Sequence, residues 1–334
     1  MKILVTGGAG FIGSHLSERL LSLSHEVVCI DDFNDYYLPA IKEENLSVCK
    51  TDNKFCVYKL DIRDLGSLNR VFEEHKIDII IHLGARAGIR SSINYPSLYE
   101  EVNVKGTLNL LEIAKNFKIS RFIFGSSSSV YGLAERLPFS EDDNTDKPLS
   151  PYAATKKSGE LLCYSYHHLY SINIACLRFF TVYGPRNRPD MAIYRFADSL
   201  VNDTEIVLYS EKYTKRDFTY ITDIIDGIIQ CVERNIEWEV LNLGSSRPIE
   251  LRYLIYLLEI YLGKKAKIKK EALPKSEVPV TYADISRAKN VLGYNPKIKF
   301  EEGIKKFVEW YKSHKKIEGS INPPKLFERL REKF

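Results

Sequence analysis

Short apolar runs and amphipathic stretches alternate along the first half of this chain. KILVTG (2–7) is a β-rich run ending on glycine, and FIGSHLSERLLSL (11–23) follows with Ile12, Leu16 and Leu20 on one helical stripe. EVVCID (26–31), DIIIHLG (78–84), RFIFGSS (121–127) and INIACLRFF (172–180) continue the series, separated by helical stretches such as 104–117. Apolar strands alternating with amphipathic helices build right-handed β-α-β units, so the pattern predicts an α/β fold with a doubly wound parallel sheet.

The alternation weakens after about residue 181, where loops mix with helical patterns at 189–201, 250–262 and 301–312. EVLNLG (239–244) is short and strand-like, and returns to the main sheet in this reading. The predicted organisation is a first domain of 1–180 plus about 221–247 and a smaller, discontinuous α/β substrate lobe. That lobe takes 181–220 and 248–315, and a Lys-rich, weakly periodic tail fills 316–334. A ligand cleft is expected between the two.

Composition narrows the picture only slightly. The 334 residues are 44 % hydrophobic and 28 % charged, with a formal charge of +4, as for a globular protein. The basic stretch GKKAKIKKEALPK (263–275) lacks aromatic interleaving and reads as a solvated face, so no nucleic-acid partner is expected. Six cysteines are scattered without metal-ligand spacing, several inside apolar runs, as for reduced thiols in a cytoplasmic protein. The chain enters a structured motif at once and carries no apolar run of membrane-spanning length, so neither a signal peptide nor a membrane partner is expected.

TGGAGFIG sets Gly7, Gly10 and Gly13 at GxxGxxG spacing after a strand, with Phe11 and Ile12 opening the helix. Gly7 permits the tight turn, Gly10 lets backbone approach a pyrophosphate, and Gly13 allows close helix–strand contact. An acid at the end of the second strand, Asp31, accepts hydrogen bonds from ribose hydroxyls and repels a 2′-phosphate, which favours NAD over NADP. The sheet is then a Rossmann sheet. The expected cofactor set also takes in Asp32, Asn34, Leu83, and Asp61 with Ile62 after the third strand, although Asp61 reads equally as a helix N-terminal acid.

SPYAATKKSGELL (150–162) places Tyr152 and Lys156 on one helix face. A phenol titrates near pH 10 unaided, and a neighbouring ammonium favours phenolate. Alone, this spacing reads as a surface helix, and the serine run SSSSVYG (126–132) alone reads as a polar turn. The serines, however, end a predicted parallel strand, the edge where ligands sit in such sheets. RFFTVYGPRNRPDM (178–191) gathers three arginines beside Thr181; it either receives an anionic ligand or is a solvated hinge.

These motifs together resemble the extended short-chain dehydrogenase/reductase family, nucleotide-sugar branch, from Met1 to about Lys312. Within it, RFFTVYGPRNRPDMA resembles the UDP-glucuronate 4-epimerases, whereas many UDP-glucose 4-epimerases carry Asn in place of Thr181. The resemblance implies Tyr152 as base, Lys156 as its pKa-lowering partner and nicotinamide-ribose contact, and Ser127 as the hydroxyl bridging substrate and Tyr152. It implies Arg86 and Asn103 at the cofactor, Tyr209 stacked on uracil, and Arg216, together with Arg188, on the diphosphate. Arg90, Ser128 and Thr181 would surround a sugar carboxylate, and Glu277 stands where a uridine-contacting Asp is usual. Gly84 and Arg86 replace Ala and Gln, and Arg186-Asn187 replaces Trp-Gly or a similar pair.

The implied reaction is NAD-dependent C4 epimerisation of a UDP-sugar through a 4-keto intermediate, with UDP-glucuronate first and UDP-glucose as the alternative. A decarboxylase or dehydratase needs a carboxylate just before VYG, where this chain has Ser128 and Ser129. A non-catalytic NAD-binding protein needs none of Ser127, Tyr152 and Lys156. By analogy with relatives, helices near 96–117 and 152–171 would pair in a homodimer.

Overall fold

The computed structural model describes residues 1–133, 136–209 and 214–318. Its strands are β1 (Lys2–Thr6), β2 (Glu26–Asp31), β3 (Phe55–Lys59), β4 (Ile79–His82), β5 (Arg121–Ser127), β6 (Asn173–Phe179), β7 (Thr181–Tyr183), β8 (Glu205–Tyr209), β9 (Lys215–Tyr220), β10 (Trp238–Leu243), β11 (Pro248–Glu250) and β12 (Lys267–Glu271). The helices are α1 (Phe11–Ser22), α2 (Pro39–Asn45), α3 (Leu65–Glu74), α4 (Ile89–Asn94), α5 (Pro96–Glu100), α6 (Gly106–Asn116), α7 (Pro151–Tyr170), α8 (Ala192–Val201), α9 (Ile221–Glu233), α10 (Leu251–Leu262), α11 (Ser286–Leu292) and α12 (Phe300–Glu318). The final helix outruns its predicted 301–312 stretch, and the expected tail lies outside the described residues from 319 onward.

Seven parallel strands form the large sheet in the order β10-β6-β5-β4-β1-β2-β3. The EVLNLG run does return: Trp238 to Leu243 pair in register with Ile174 to Phe179. Alternate side chains enter two separate cores because both faces are covered. On β1, Ile3 and Val5 join the core under α1 and α9, while Leu4 joins the one under α3, α6 and α7. On β4 the same split puts Ile79 and Ile81 on one side and Ile80 on the other.

The chain leaves β1 toward β2 and β3, then crosses to β4 on the opposite side, so the topology reverses between β1 and β4. At such a switch point the loops diverge and open a crevice at the carboxyl edge. Outside this sheet, β11-β9-β7 and β12-β8 form two small sheets, and α10 packs on α8 and α12. All six cysteines carry free thiols, five of them buried. No helix among the described residues is long and apolar enough to cross a membrane.

A buried ion pair fastens α7 to the edge of the sheet. Arg178 on β6 donates from Nε and Nη2 to the two Glu160 oxygens, each at 2.8 Å, and Ser126 Oγ donates to Glu160 Oε1 at 2.6 Å. Arg178 also lies over the Tyr131 ring at 4.8 Å. Removing one partner strands a buried charge, so Glu160→Ala should cost about 3–5 kcal/mol, whereas replacing both partners with apolar residues of similar volume should cost far less. Urea unfolding of the two variants checks this.

Candidate active site

The expected cofactor end depends on close backbone approach. A Cβ on Gly13 would meet Gly7 O at 2.2 Å, and one on Gly7, at φ +66°, would meet Gly84 Cα at 2.8 Å. Glycine therefore lets α1 start against the end of β1, with its first-turn N–H groups directed at the crevice and no side-chain cap from Gly10. The crevice is a cavity of about 480 Å³ that Gly7, Gly10, Phe11, Ile12, Gly13, Asp31, Asp32, Asn34, Asp61, Ile62, Leu83 and Arg86 all help to line.

Asp31 is less open than the sequence suggested. It is 6 % exposed, and its oxygens accept from Ala9 N (3.2 Å), Phe33 N (2.9 Å) and Lys42 Nζ (3.1 Å). Burial raises its pKa and the Lys42 ammonium opposes that rise. Asp32 beside it is more exposed and binds Asn34. Lys42, a partner of both acids, was not anticipated; a lysine in a helical stretch eleven residues on carries no signal of its target. Asp61 is held by Arg63 in a fork, with Nη2 to Oδ2 at 2.7 Å.

Asn103 departs from its expected position. It is buried and does not line the cavity; its amide clasps the Arg86 backbone, accepting from Arg86 N at 2.7 Å and donating to Arg86 O at 3.0 Å. It also donates to Thr155 Oγ1 at 3.0 Å, so it positions Arg86 and α7 from behind. Arg86 itself faces the cavity with its Nε unpaired.

At the other end, Ser150 caps α7 by accepting from Ala153 N at 3.2 Å, which fixes where the helix begins. Tyr152 then falls in its first turn and Lys156 one turn later, both on the cavity wall with Ser127 and Ser128. Burial raises the Tyr152 pKa; a hydrogen bond with Ser127 and the charge of Arg188 lower it. Lys156 Nζ donates to Gly125 O at 2.6 Å and lies 5.0 Å over the Phe124 ring. Lys156, expected to lower the phenol's pKa, shares the cavity wall with Tyr152 while its ammonium is held by the Gly125 carbonyl.

The two arginines expected to share a diphosphate sit in separate ion pairs. Arg188 forms a fork with Asp190, both contacts at 2.9 Å, and Tyr36 Oη donates to Asp190 at 3.3 Å. Arg216 pairs with Glu277, which also takes Arg90, each at 3.1 Å. Thr181 opens β7 on the cavity wall, and Arg90 stacks over the Tyr209 ring at 4.4 Å. Arg195 on α8 also lines the cavity, and its helical pattern gave no hint of this. Among the described residues no group of three or more His, Cys, Asp or Glu side chains could hold a metal ion.

The glycine cradle, the first-turn donors and the acids at the end of β2 suit a dinucleotide, and a phenol sharing the cavity wall with serine hydroxyls suits proton exchange with an alcohol. The family described as GDP-mannose 4,6 dehydratase matches residues 4–307. The chain belongs to this family. A relative named UDP-glucuronate 4-epimerase, from Thermodesulfobacterium geofontis, is 44 % identical over 319 residues, 95 % of this chain and 98 % of that one. The solved UDP-glucuronic acid 4-epimerase of Bacillus cereus, in complex with UDP-glucuronic acid and NAD, superposes with TM-score 0.88 at 38 % identity, covering 94 % of this chain and 99 % of that one. The UDP-glucose 4-epimerase of Thermotoga maritima, solved with UDP-glucose, gives TM-score 0.85 at 28 % identity over 94 % of this chain and 99 % of that one.

Burial lowers the Lys156 pKa from 10.5 to about 8. Between those values the unfolded chain holds the proton that the folded chain has lost, so stability rises with pH across that window. Relative to Lys156→Met, the unliganded protein should gain on the order of 3 kcal/mol from pH 8 to 10.5. Urea unfolding across that range checks it; a constant difference between the two proteins would contradict it.

Proposed function

We propose that this chain is an NAD-dependent UDP-sugar 4-epimerase acting on UDP-glucuronate. The observation that carries the reading is the placement of Ser127, Tyr152 and Lys156 together on the cavity wall at the carboxyl edge of the sheet. The relatives named UDP-glucuronate 4-epimerase support the choice of sugar. The glycine turn and α1 would hold the cofactor pyrophosphate; Asp31, Asp32, Asn34, Asp61 and Ile62 the adenosine; Leu83, Arg86, Tyr152 and Lys156 the nicotinamide end. When bound, NAD supplies the acceptor, and later the donor, of the C4 hydride.

Tyr152 Oη takes the proton of the C4 hydroxyl, with Ser127 Oγ holding the oxygen between them. The 4-keto sugar turns within the cavity and presents its other face, and Tyr152 returns the proton to the same oxygen. Thr181 and Ser128 donate hydroxyl hydrogen bonds without adding full charge, so they hold a carboxylate loosely enough for the sugar to turn. Serines at 128 and 129 offer no acid for chemistry beyond C4.

UDP-glucose is a second reading on one observation: Arg90, expected beside the sugar carboxylate, is paired with Glu277 and stacked over Tyr209, leaving less free charge for a uronate. The reading also includes a cytoplasmic location, no nucleic-acid partner and a homodimer. The dimer is supported by exposed Leu161, Tyr164, Leu169 and Tyr170 on α7, an apolar group a monomer has little reason to keep in water.

Proton NMR of the anomeric signals should follow conversion of UDP-glucuronate to UDP-galacturonate, with UDP-glucose left unchanged; conversion of UDP-glucose alone would contradict the assigned sugar. Tyr152→Phe should lose about 10²–10⁴-fold in turnover while keeping its NAD. Leu161→Asp with Leu169→Asp should sediment as a monomer where the unaltered protein sediments as a dimer.

A further inference from the structure

Arg186-Asn187 stands where the epimerases that this chain resembles carry Trp-Gly or a similar pair, and neither residue lines the cavity. Both belong to the connection between β7 and α8, residues 184–191, whose later members Arg188, Asp190 and Met191 do form cavity wall. The backbone of this connection is unusual twice. Gly184 sits at φ +146°, and Arg186, which carries a full side chain, at φ +63°. A left-handed arginine persists only where surrounding contacts hold it.

Those contacts come from the cofactor half. Arg186 Nη2 donates to Glu18 Oε1 at 2.6 Å and Nη1 to Ser14 Oγ at 3.4 Å, so the guanidinium grips the first two turns of α1. The ion pair is partly shielded, at 20 and 28 % exposure. His15 is no rival for Glu18: burial, with the Arg186 charge adding to it, lowers its pKa to about 4 and keeps the ring neutral. Four residues beyond Arg186, Asp190 accepts from Tyr36 Oη at 3.3 Å, a second tie to the segment after β2. Between the two ties Asn187 is buried, and among the described residues neither its Nδ2 nor its Oδ1 has a hydrogen-bond partner. A buried amide left unpaired opposes this arrangement, as the left-handed arginine does. The connection is therefore held by its ties against an internal cost, and loosening one tie shifts its population.

We propose that Arg186 is a positioning residue: its ion pair with Glu18 latches the 184–191 connection to the cofactor helix and keeps Arg188 in place for the nucleotide-sugar. The proposal rests on the nucleotide-sugar reading above. Arg186 acts only through the connection, because its own side chain is spent on α1. With the latch open, a smaller fraction of molecules presents Arg188 correctly, and the apparent affinity for the anionic substrate falls by that fraction. Ser127 on β5 and Tyr152 and Lys156 on α7 keep their places. Bound substrate restores the arrangement, so the loss falls on KM and not on kcat.

Kinetics of the NAD-loaded protein with UDP-glucuronate compare the unaltered chain with Arg186→Met, Glu18→Gln, the two together, and Arg186→Lys. Each of the first two should raise KM about three- to fivefold with kcat little changed, the scale of one partly shielded ion pair. The double variant should be no worse than either single one, because the same pair is lost in all three. Arg186→Lys should recover most of the unaltered KM. Hydrogen exchange of the NAD-loaded protein gives a reading independent of substrate. The peptide 184–195, in which Asn187 N donates to Gly184 O and Met191 N to Arg188 O, should exchange faster in Glu18→Gln although that substitution lies on α1. Unchanged KM in both single variants, additive losses in the double one, or faster exchange confined to α1 would overturn the proposal. Failure of the unaltered protein to turn over UDP-glucuronate would overturn the sugar assignment instead, and the exchange comparison then decides the latch by itself.

Discussion

The cleft depends on how closely three backbone segments approach at Gly7. Gly13 brings α1 onto the end of β1, and Gly84 lets the end of β4 pass beneath the turn. The turn is tied sideways as well: Gly7 N donates to Ile30 O at 2.7 Å and Ala9 N to Asp31 Oδ2 at 3.2 Å. A side chain at these contacts would push the helix N-terminus away from the crevice and carry the Asp31 anchor with it. A buried polar thread continues from this floor: Thr6 bonds His82, His82 bonds Thr107, and Thr107 donates to the backbone of Asn103. Asn103 in turn clasps Arg86 and reaches Thr155, next to Lys156. Burial holds the His82 imidazole neutral, its pKa lowered to about 3, so this thread carries no charge under the cofactor end.

Several cations around the cavity have an internal acid, whereas Lys156 is held by the Gly125 carbonyl and Arg86 keeps its Nε unpaired among the described residues. Lys42 meets Asp31, Arg188 meets Asp190, and Arg90 with Arg216 meets Glu277. Unpaired charges in a partly dry cleft are costly, so the fold supplies counter-ions of its own. An anionic ligand then exchanges partners with these pairs instead of meeting bare charge. For a sugar that must turn between two half-reactions, exchangeable contacts are an advantage over fixed ones.

The sequence made some of this legible and hid the rest for physical reasons. Strand alternation, the returning strand at 238–243 and the position of Tyr152 and Lys156 on one helix face are consequences of local periodicity, which a sequence displays directly. The glycine turn was legible because only glycine tolerates contacts of 2.2–2.8 Å at a Cβ position. Partner choice was not legible. Nothing local says that Arg188 is held by Asp190, that Lys156 points to Gly125 O, or that Glu277 meets an arginine 187 positions earlier. Asn103 was assigned to the cofactor by position, yet its amide is used on Arg86 and Thr155, a difference that depends on side-chain direction.

Transfer of the C4 hydrogen is the most direct test of the account. The unaltered protein, supplied with UDP-glucuronate deuterated at C4 in ordinary water, should yield UDP-galacturonate with deuterium retained at C4, because that hydrogen leaves and returns within one cavity while only the hydroxyl proton passes through Tyr152. Loss of the deuterium to solvent, with inversion still occurring, would contradict hydride transfer at C4, and with it the roles of the glycine cradle as cofactor seat and of Tyr152 as base.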